Sequence, residues 1–212
     1  MDNGSVDVPR LAFALCALAW AVVLADLARQ ARRRGIPALR RLSALVLVAV
    51  LVGAAAALEV VTGGRLGWHP AMAAAGVCLA WCGVALHVWA RRTIGAGWSP
   101  RIDPGPGAPL VERGPYARVR HPLYLAILLL AAGSLLAHPS RATIDVMLGL
   151  AVGVAVKRRA EERVLAGRFG ARWQDYAARV PALWPRLIRG RPRAAAAMPA
   201  DRPSRAPGAR RS

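Results

Sequence analysis

The fold is decided by two apolar runs with a short polar turn between them: LYLAILLLAAGSLLA (residues 123–137), HPSR (138–141) and ATIDVMLGLAVGVAV (142–156). A helix needs about 20 apolar residues to cross the hydrocarbon core of a bilayer. Each run is shorter than that, so each must borrow flanking residues to cross or must stop short of the far side. Two such segments joined by a tight turn predict a helical hairpin whose outer ends meet on one side.

Three longer apolar runs precede the hairpin, at residues 9–28, 42–62 and 69–90. Hydrophobic residues make up 56% of the chain, above the ~45–50% of a soluble domain. Together the runs predict an all-α integral membrane protein with five transmembrane helices. The first run has a signal peptide as its alternative, although Asp2 and Asp7 before it deprive it of the positive start that signal peptides carry.

The charge of the chain is large and unevenly distributed. The net charge is +19, from 30 Lys and Arg against 11 Asp and Glu. Alternating crossings place all of these basic residues on one side except Arg10, Arg65 and Arg141, and cytoplasmic loops carry the excess of Lys and Arg. This predicts an external N-terminus and a cytoplasmic C-terminus in the cell inner membrane. It disfavours an ordinary soluble enzyme, and contact with anionic lipid explains the charge without a nucleic-acid partner.

The polar segments divide the chain into three parts. Residues 1–92 are predicted to hold the N-terminal three transmembrane helices, residues 93–187 a catalytic region, and residues 188–212 a disordered basic tail. The catalytic region contains a cytoplasmic loop rich in Gly and Pro, which fits neither GxGxxG nor a P-loop. After the hairpin, an apolar stripe at helical spacing predicts an amphipathic cytoplasmic helix, with a possible break at Gly167 or Gly170. The stripe consists of Leu165, Phe169, Trp173, Tyr176 and Val180.

The residues with chemical potential lie at the two outer ends of the hairpin. The segment GPYARVRHPLY (114–124) places His121 and Tyr124 before and at the start of the first run, and Glu161 and Glu162 follow the second run. Adjacent carboxylates suit an ammonium group, and aromatic rings suit an adenine or a sulfonium. A zwitterionic, adenine-bearing ligand fits this set. Each feature also has a structural alternative: interfacial aromatics, ion pairs between the glutamates and nearby cations on the same helix, and a local cap by His121.

The same residues carry a resemblance to a known family. GPY (114–116), RHPLY (120–124) and EE (161–162) resemble the motifs of the isoprenylcysteine carboxyl methyltransferase family and its phospholipid N-methyltransferase relatives. Ala126 and Trp173 depart mildly from the family pattern, which usually has Gly and Tyr there. The resemblance extends over about residues 93–185 and includes these further positions: Leu165, Phe169, Gly170, Tyr176, Val180, Pro181 and Pro185.

The resemblance implies an integral membrane enzyme that binds S-adenosylmethionine without a Rossmann fold, in a pocket formed by the cytoplasmic loop and the amphipathic helix. It implies a methyl transfer to a lipid-like or lipid-anchored acceptor, such as a prenylated small substrate, whose acceptor group is a carboxylate or an amine. No metal is expected. The cofactor-binding residues would be Leu110, Val111, Tyr116, His121, Pro122, Leu123, Tyr124 and Glu161.

Three residues form the candidate catalytic group: Lys157, Arg158 and Glu162. Lys157 stands where the family places a substrate-holding arginine, and Arg158 is the alternative because Lys lacks the bidentate fork. A carboxylate acceptor is already ionised at neutral pH and needs no general base. An amine acceptor must lose a proton, for which His121 or Glu162 is the candidate base.

Two other functional classes stay open from the sequence. A membrane reductase of the sterol-reductase type would use NADPH, but the Glu161–Glu162 pair would repel a phosphorylated dinucleotide. A non-enzymatic membrane protein or transporter would carry intramembrane charges along a substrate path. The charges near span ends do not cluster in any obvious way along the sequence: Asp26, Glu59, His87 and Asp145.

Overall fold

The computed structural model describes residues 8–33, 67, 69–95 and 109–184. Over these residues the chain is helical and contains no β-strand, as the sequence predicts. The predicted second span (42–62), most of the loop between the third span and residue 109, and the predicted tail (188–212) lie outside the described residues. The helices are α1 (Val8–Arg33), α2 (Pro70–Ile94), a 3-10 turn (Gly114–Ala117), α3 (Pro122–Ala137), α4 (Arg141–Phe169) and α5 (Ala171–Arg179).

Local sequence explains where the helices begin and end. The side chain of His69 accepts a hydrogen bond from the backbone N–H of Ala71, and the proline that opens α2 has no N–H to leave unsatisfied. Ser140 and Thr143 form a reciprocal capping box at the start of α4. Gly170 has a φ of 52°, a conformation that favours glycine, and it separates α4 from α5. The apolar stripe therefore runs over two helices, with the break at the second of the two glycines.

Helices α2 and α3 approach each other closely because glycines stand at their contact. A Cβ added to Gly133 would lie 2.5 Å from the backbone nitrogen of Ala80, and one added to Gly76 would lie 2.4 Å from that of Ala137. Only a residue without a side chain fits at these distances. The close contact fixes the position of α3, and with it the start of that helix near the site.

The core joins α1, α2 and α3. The Trp20 indole of α1 donates a hydrogen bond of 3.1 Å to the Ser134 hydroxyl of α3, within the apolar contact. Small side chains dominate this core because the helices lie so close together. Its buried residues are Cys16, Ala19, Val23, Ala80, Val84, Leu130 and Ala137.

Two of the described helices are long and apolar enough to cross a membrane, over Val8–Arg29 and Pro70–Ile94. Helix α3 is apolar but has only 16 residues, about 24 Å at 1.5 Å per residue. Helix α4 differs from the prediction in its length, since it continues without interruption from the turn to Phe169 and has 29 residues. The fifth apolar run and the first part of the predicted cytoplasmic helix are therefore one element.

Candidate active site

The start of α3 lies beside the second half of α4, because the turn at residues 138–140 reverses the chain between them. The Tyr124 hydroxyl donates a hydrogen bond of 2.8 Å to Oε2 of Glu161. Nε2 of His121 lies 3.0 Å from Oε1 of Glu162. Two residues before or at the start of one helix thus contact two consecutive carboxylates of the other. The structure brings together the imidazole, the phenol and the acidic pair.

Glu162 is the most heavily paired carboxylate of the site. Besides His121, Nη2 of Arg120 lies 3.2 Å from its Oε1, and Nη1 of Arg158 donates to its Oε2 at 3.1 Å. The hydrogen bond with His121 holds the pKa of Glu162 below its usual value, and the charges of Arg120 and Arg158 act in the same direction against the opposing effect of burial. Glu162 is therefore an anion at neutral pH.

Glu161 has a different environment from its neighbour. Its partners in the described part of the chain are the neutral hydroxyl of Tyr124 and, at 4.0 Å, Nδ1 of His121. Neither partner is a guanidinium, so the charge of Glu161 is balanced less completely than that of Glu162. A carboxylate in this situation favours a cationic ligand group.

His121 is held in place from several directions. It is 5% exposed, and its ring stacks on that of Tyr124 with centroids 5.5 Å apart. The backbone N–H groups of Arg120 and His121 donate to the carbonyl oxygens of Pro181 and Ala182, at 2.9 and 3.0 Å. The segment that follows α5 therefore pairs with the segment that precedes α3. This pairing orders the imidazole without using its ring nitrogens.

The 3-10 turn and α5 cover the site. The Tyr176 hydroxyl donates a 2.7 Å hydrogen bond to the carbonyl oxygen of Tyr116, and Leu110 packs against the cluster of Trp173, Tyr176 and Val180. The Tyr116 side chain is 8% exposed, and its buried hydroxyl has no hydrogen-bond partner in the described part of the chain. A buried donor without a partner costs free energy, so its persistence points to a ligand that supplies one.

Comparison with known proteins bears on this geometry. Residues 75–167 match the sequence model of the Isoprenylcysteine carboxyl methyltransferase (ICMT) family. Over these residues the chain is similar to the ICMT family. The resemblance predicted from the motifs is thereby confirmed. No curated protein matches the chain.

The matched region begins within α2 and ends within α4. It includes the GPY and RHPLY segments and both glutamates, so it holds the two ends that meet at the site. At the level of the family, this supports a membrane methyltransferase of the isoprenylcysteine type. The covering helix α5 lies beyond the matched residues, so its place over the site comes from the contacts in the structure, among them those of Trp173 and Tyr176.

The remaining site residues that the sequence predicts lie in different environments. Pro122 is buried at the start of α3, and Leu110, Val111 and Leu123 are partly buried. Lys157 is exposed. Arg158 already donates to Glu162, so this guanidinium orders a carboxylate of the site. Within the described ranges, no group of His, Cys, Asp and Glu side chains has an arrangement that could hold a metal ion.

Sequence reasoning did not predict several contacts around the site. Arg120 contacts Glu162 and lies over the Trp173 ring, with its Cζ 5.6 Å from the ring centroid. Glu112 accepts hydrogen bonds from Arg172 at 3.1 Å and Arg179 at 3.0 Å, which ties the loop to α5. Arg172 and Arg179 lie two turns apart on one face of the helix. This spacing was the signal that could have indicated a shared acidic partner such as Glu112.

A second polar cluster contradicts one prediction. Asp26 and His87 were expected not to cluster, but Oδ2 of Asp26 lies 3.0 Å from Nε2 of His87 and 3.2 Å from Nε of Arg91. The prediction was wrong because the two residues belong to different helices, α1 and α2. The sequence does not specify which faces of these helices pack against each other. Asp145 is exposed on α4, and Glu59 lies outside the described residues.

Proposed function

We propose that the protein is an integral membrane methyltransferase that uses S-adenosylmethionine and acts on a lipid-like or lipid-anchored acceptor. The observation that carries the proposal is the contact of His121 and Tyr124 with Glu162 and Glu161. These residues come from the two separated motifs of the family, and they meet at one site next to the apolar helices.

The residues present fit the chemistry of this cofactor. Glu161 suits the ammonium group of its amino-acid end, since a carboxylate that no guanidinium contacts in the described part of the chain favours a cation. The aromatic rings of Tyr124 and Tyr116 suit its sulfonium and its adenine. The unpartnered hydroxyl of Tyr116 supplies a donor that a polar ligand would satisfy.

The cofactor supplies an electrophilic methyl group when it is bound. The task of the chain is then to hold the acceptor in line with that methyl and to exclude water. With a carboxylate acceptor no proton has to move, so no catalytic base is required. With an amine acceptor, the lowered pKa of Glu162 makes it a weak base. In that case His121 is the better candidate, and Glu162 orients its ring through Nε2.

The membrane arrangement is part of the proposal. The five apolar runs and the one-sided distribution of basic residues support five crossings, with the C-terminal pair as a hairpin and the site on the cytoplasmic side. The Arg-rich segments that border the site would face anionic lipid headgroups. A lipid-like acceptor would reach the site sideways from the bilayer.

The test is cofactor binding by the purified protein in detergent. We expect S-adenosylmethionine and S-adenosylhomocysteine to raise the melting temperature of the wild type, and NADPH to leave it unchanged. Glu161→Gln keeps an oxygen for Tyr124 but removes the charge, and it should weaken binding about tenfold or more, as is typical for a charged hydrogen bond.

Asp145→Asn is the matched control, because Asp145 is an exposed carboxylate on the same helix away from the site. It should bind like the wild type. Stabilisation by NADPH but not by S-adenosylmethionine would contradict the methyltransferase assignment and indicate a reductase. No stabilisation by either cofactor, in a folded protein, would contradict an enzymatic function for the site.

A further inference from the structure

A short segment of the cytoplasmic loop, residues 109–113, lies against α5 directly before the 3-10 turn. We call it the strap. It forms neither a helix nor a β-strand. Leu110 of the strap packs on the apolar cluster around Trp173 and Tyr176, and Glu112 contacts two arginines of α5. The strap is therefore attached to α5 by side chains rather than by regular secondary structure.

The contact of Glu112 with the two arginines forms a latch between the strap and α5. Nε of Arg172 donates to Oε1 of Glu112 at 3.1 Å, and Nη2 of Arg179 donates to Oε2 at 3.0 Å. The arginine side chains are 63% and 60% exposed. Ion pairs exposed to water are weak and are screened by salt. The latch can therefore be released without disturbing the core.

Helix α5 itself is attached through stronger contacts. The Tyr176 hydroxyl donates a buried hydrogen bond of 2.7 Å to the carbonyl oxygen of Tyr116. The segment after α5 accepts backbone hydrogen bonds from Arg120 and His121. Buried hydrogen bonds cost more to break than exposed ion pairs. Of the two elements that cover the site, α5 is thus the fixed one and the strap is the one more easily released.

Gly114 fixes the C-terminal end of the strap. Its φ of 60° favours glycine, and an added Cβ would lie 2.7 Å from Oγ1 of Thr93 at the end of α2. The turn that follows Gly114 is held by the hydrogen bond to the Tyr116 carbonyl. Release of the latch would therefore let the strap move away from α5 about Gly114 while the turn stays in place.

The strap borders the candidate site. The Trp173 ring belongs to the cluster on which Leu110 packs, and its centroid lies 5.6 Å from Cζ of Arg120. Arg120 in turn contacts Glu162 at 3.2 Å. The buried Tyr116 hydroxyl, which has no hydrogen-bond partner in the described part of the chain, follows the strap closely in the sequence. Movement of the strap would uncover the apolar cluster at the edge of the site.

We propose that the strap is a gate for the cofactor, which the latch holds closed over the bound molecule and which opens for exchange while α5 stays in place. This proposal rests on the proposed function. A methyltransferase that uses S-adenosylmethionine must release S-adenosylhomocysteine after every methyl transfer, so a covered site needs a part that opens. Because the ion pairs of the latch are exposed, the opening depends on ionic strength.

The rates at which the purified protein in detergent binds and releases S-adenosylhomocysteine test the gate. Glu112→Gln removes the negative charge of the latch, and it should raise both rates about fivefold at low salt, as expected for the loss of exposed ion pairs. Since both rates rise together, the dissociation constant should change little. High salt should raise the wild-type rates toward those of the variant and should leave the variant almost unchanged.

The arginine side of the latch provides a second variant. Arg172→Gln combined with Arg179→Gln should give the same rates as Glu112→Gln, and the three substitutions together should have no additional effect. Asp145→Asn is the control, because Asp145 is an exposed carboxylate on α4 away from the strap. It should keep the wild-type rates and their salt dependence.

Two results would overturn the gate and leave the proposed function intact. Unchanged rates in Glu112→Gln would show that the latch does not control exchange. A faster release with an unchanged binding rate, and hence a weaker affinity, would show that the strap only contributes contacts to the bound molecule. A wild type that does not bind S-adenosylhomocysteine would overturn the proposed function itself.

Discussion

Individual residues of the site divide into those that the sequence predicts and those that it does not. The sequence predicts that His121 and Tyr124 meet Glu161 and Glu162, because the two motifs flank a short turn that is expected to reverse the chain, and the structure shows these contacts. The pairing of Arg91 with Asp26 does not follow from any spacing, since the two residues lie on separate helices. Only the packing of α1 on α2 determines it.

The pH dependence of stability tests the environment of Glu162. Its pKa is lower in the folded protein than the ordinary value of 4.5. The stabilisation is therefore complete above that ordinary value and is lost as the pH falls through the lowered one. We expect Glu162→Gln to lower the melting temperature in detergent by a few degrees at pH 7. The difference between wild type and variant should shrink as the pH falls below 4.5. A difference that stays constant with pH would show that the charge of Glu162 does not stabilise the fold.

At the scale of elements, the apolar runs predict where helices form but not how they face one another. Helix α3 is apolar on every side, so no stripe indicates which face meets α2. The contact depends on Gly76 and Gly133. The two glycines are far apart in the sequence, and the residues around them do not indicate that they meet. Helix α5 shows the opposite case, because its apolar stripe is well separated from its arginines and correctly predicts the buried Trp173 and Tyr176.

The glycine contact leads to a prediction about α2 and α3. Gly133→Ala adds a methyl group 2.5 Å from a backbone nitrogen of α2, so the two helices must separate. We expect a loss of several degrees in melting temperature, against the gain that alanine gives in an unobstructed helix. Gly149→Ala on α4 is the control, since nothing lies within 4 Å of its added Cβ. Equal melting temperatures for the two variants would refute the close approach.

At the scale of the whole molecule, the distribution of basic residues predicts the orientation that we propose. Single cysteines in a variant without the three native ones test it directly. A cysteine at Arg163 should react with an impermeant maleimide only in inverted membrane vesicles, and one at Arg141 only in right-side-out vesicles. Both positions are exposed in the structure. Labelling of both cysteines from the same side would contradict a crossing by α4.

In the proposed topology, helix α4 runs without interruption from the bilayer to the two carboxylates of the candidate site. The helix is about 43 Å long at 1.5 Å per residue, and a typical hydrocarbon core is about 30 Å thick. The helix is continuous from its capping box at Ser140 to the break at Gly170. A thinner bilayer would therefore be expected to increase the tilt of the whole helix. Glu161 and Glu162 would tilt with the helix, so the thickness of the bilayer would affect how these carboxylates meet His121 and Tyr124.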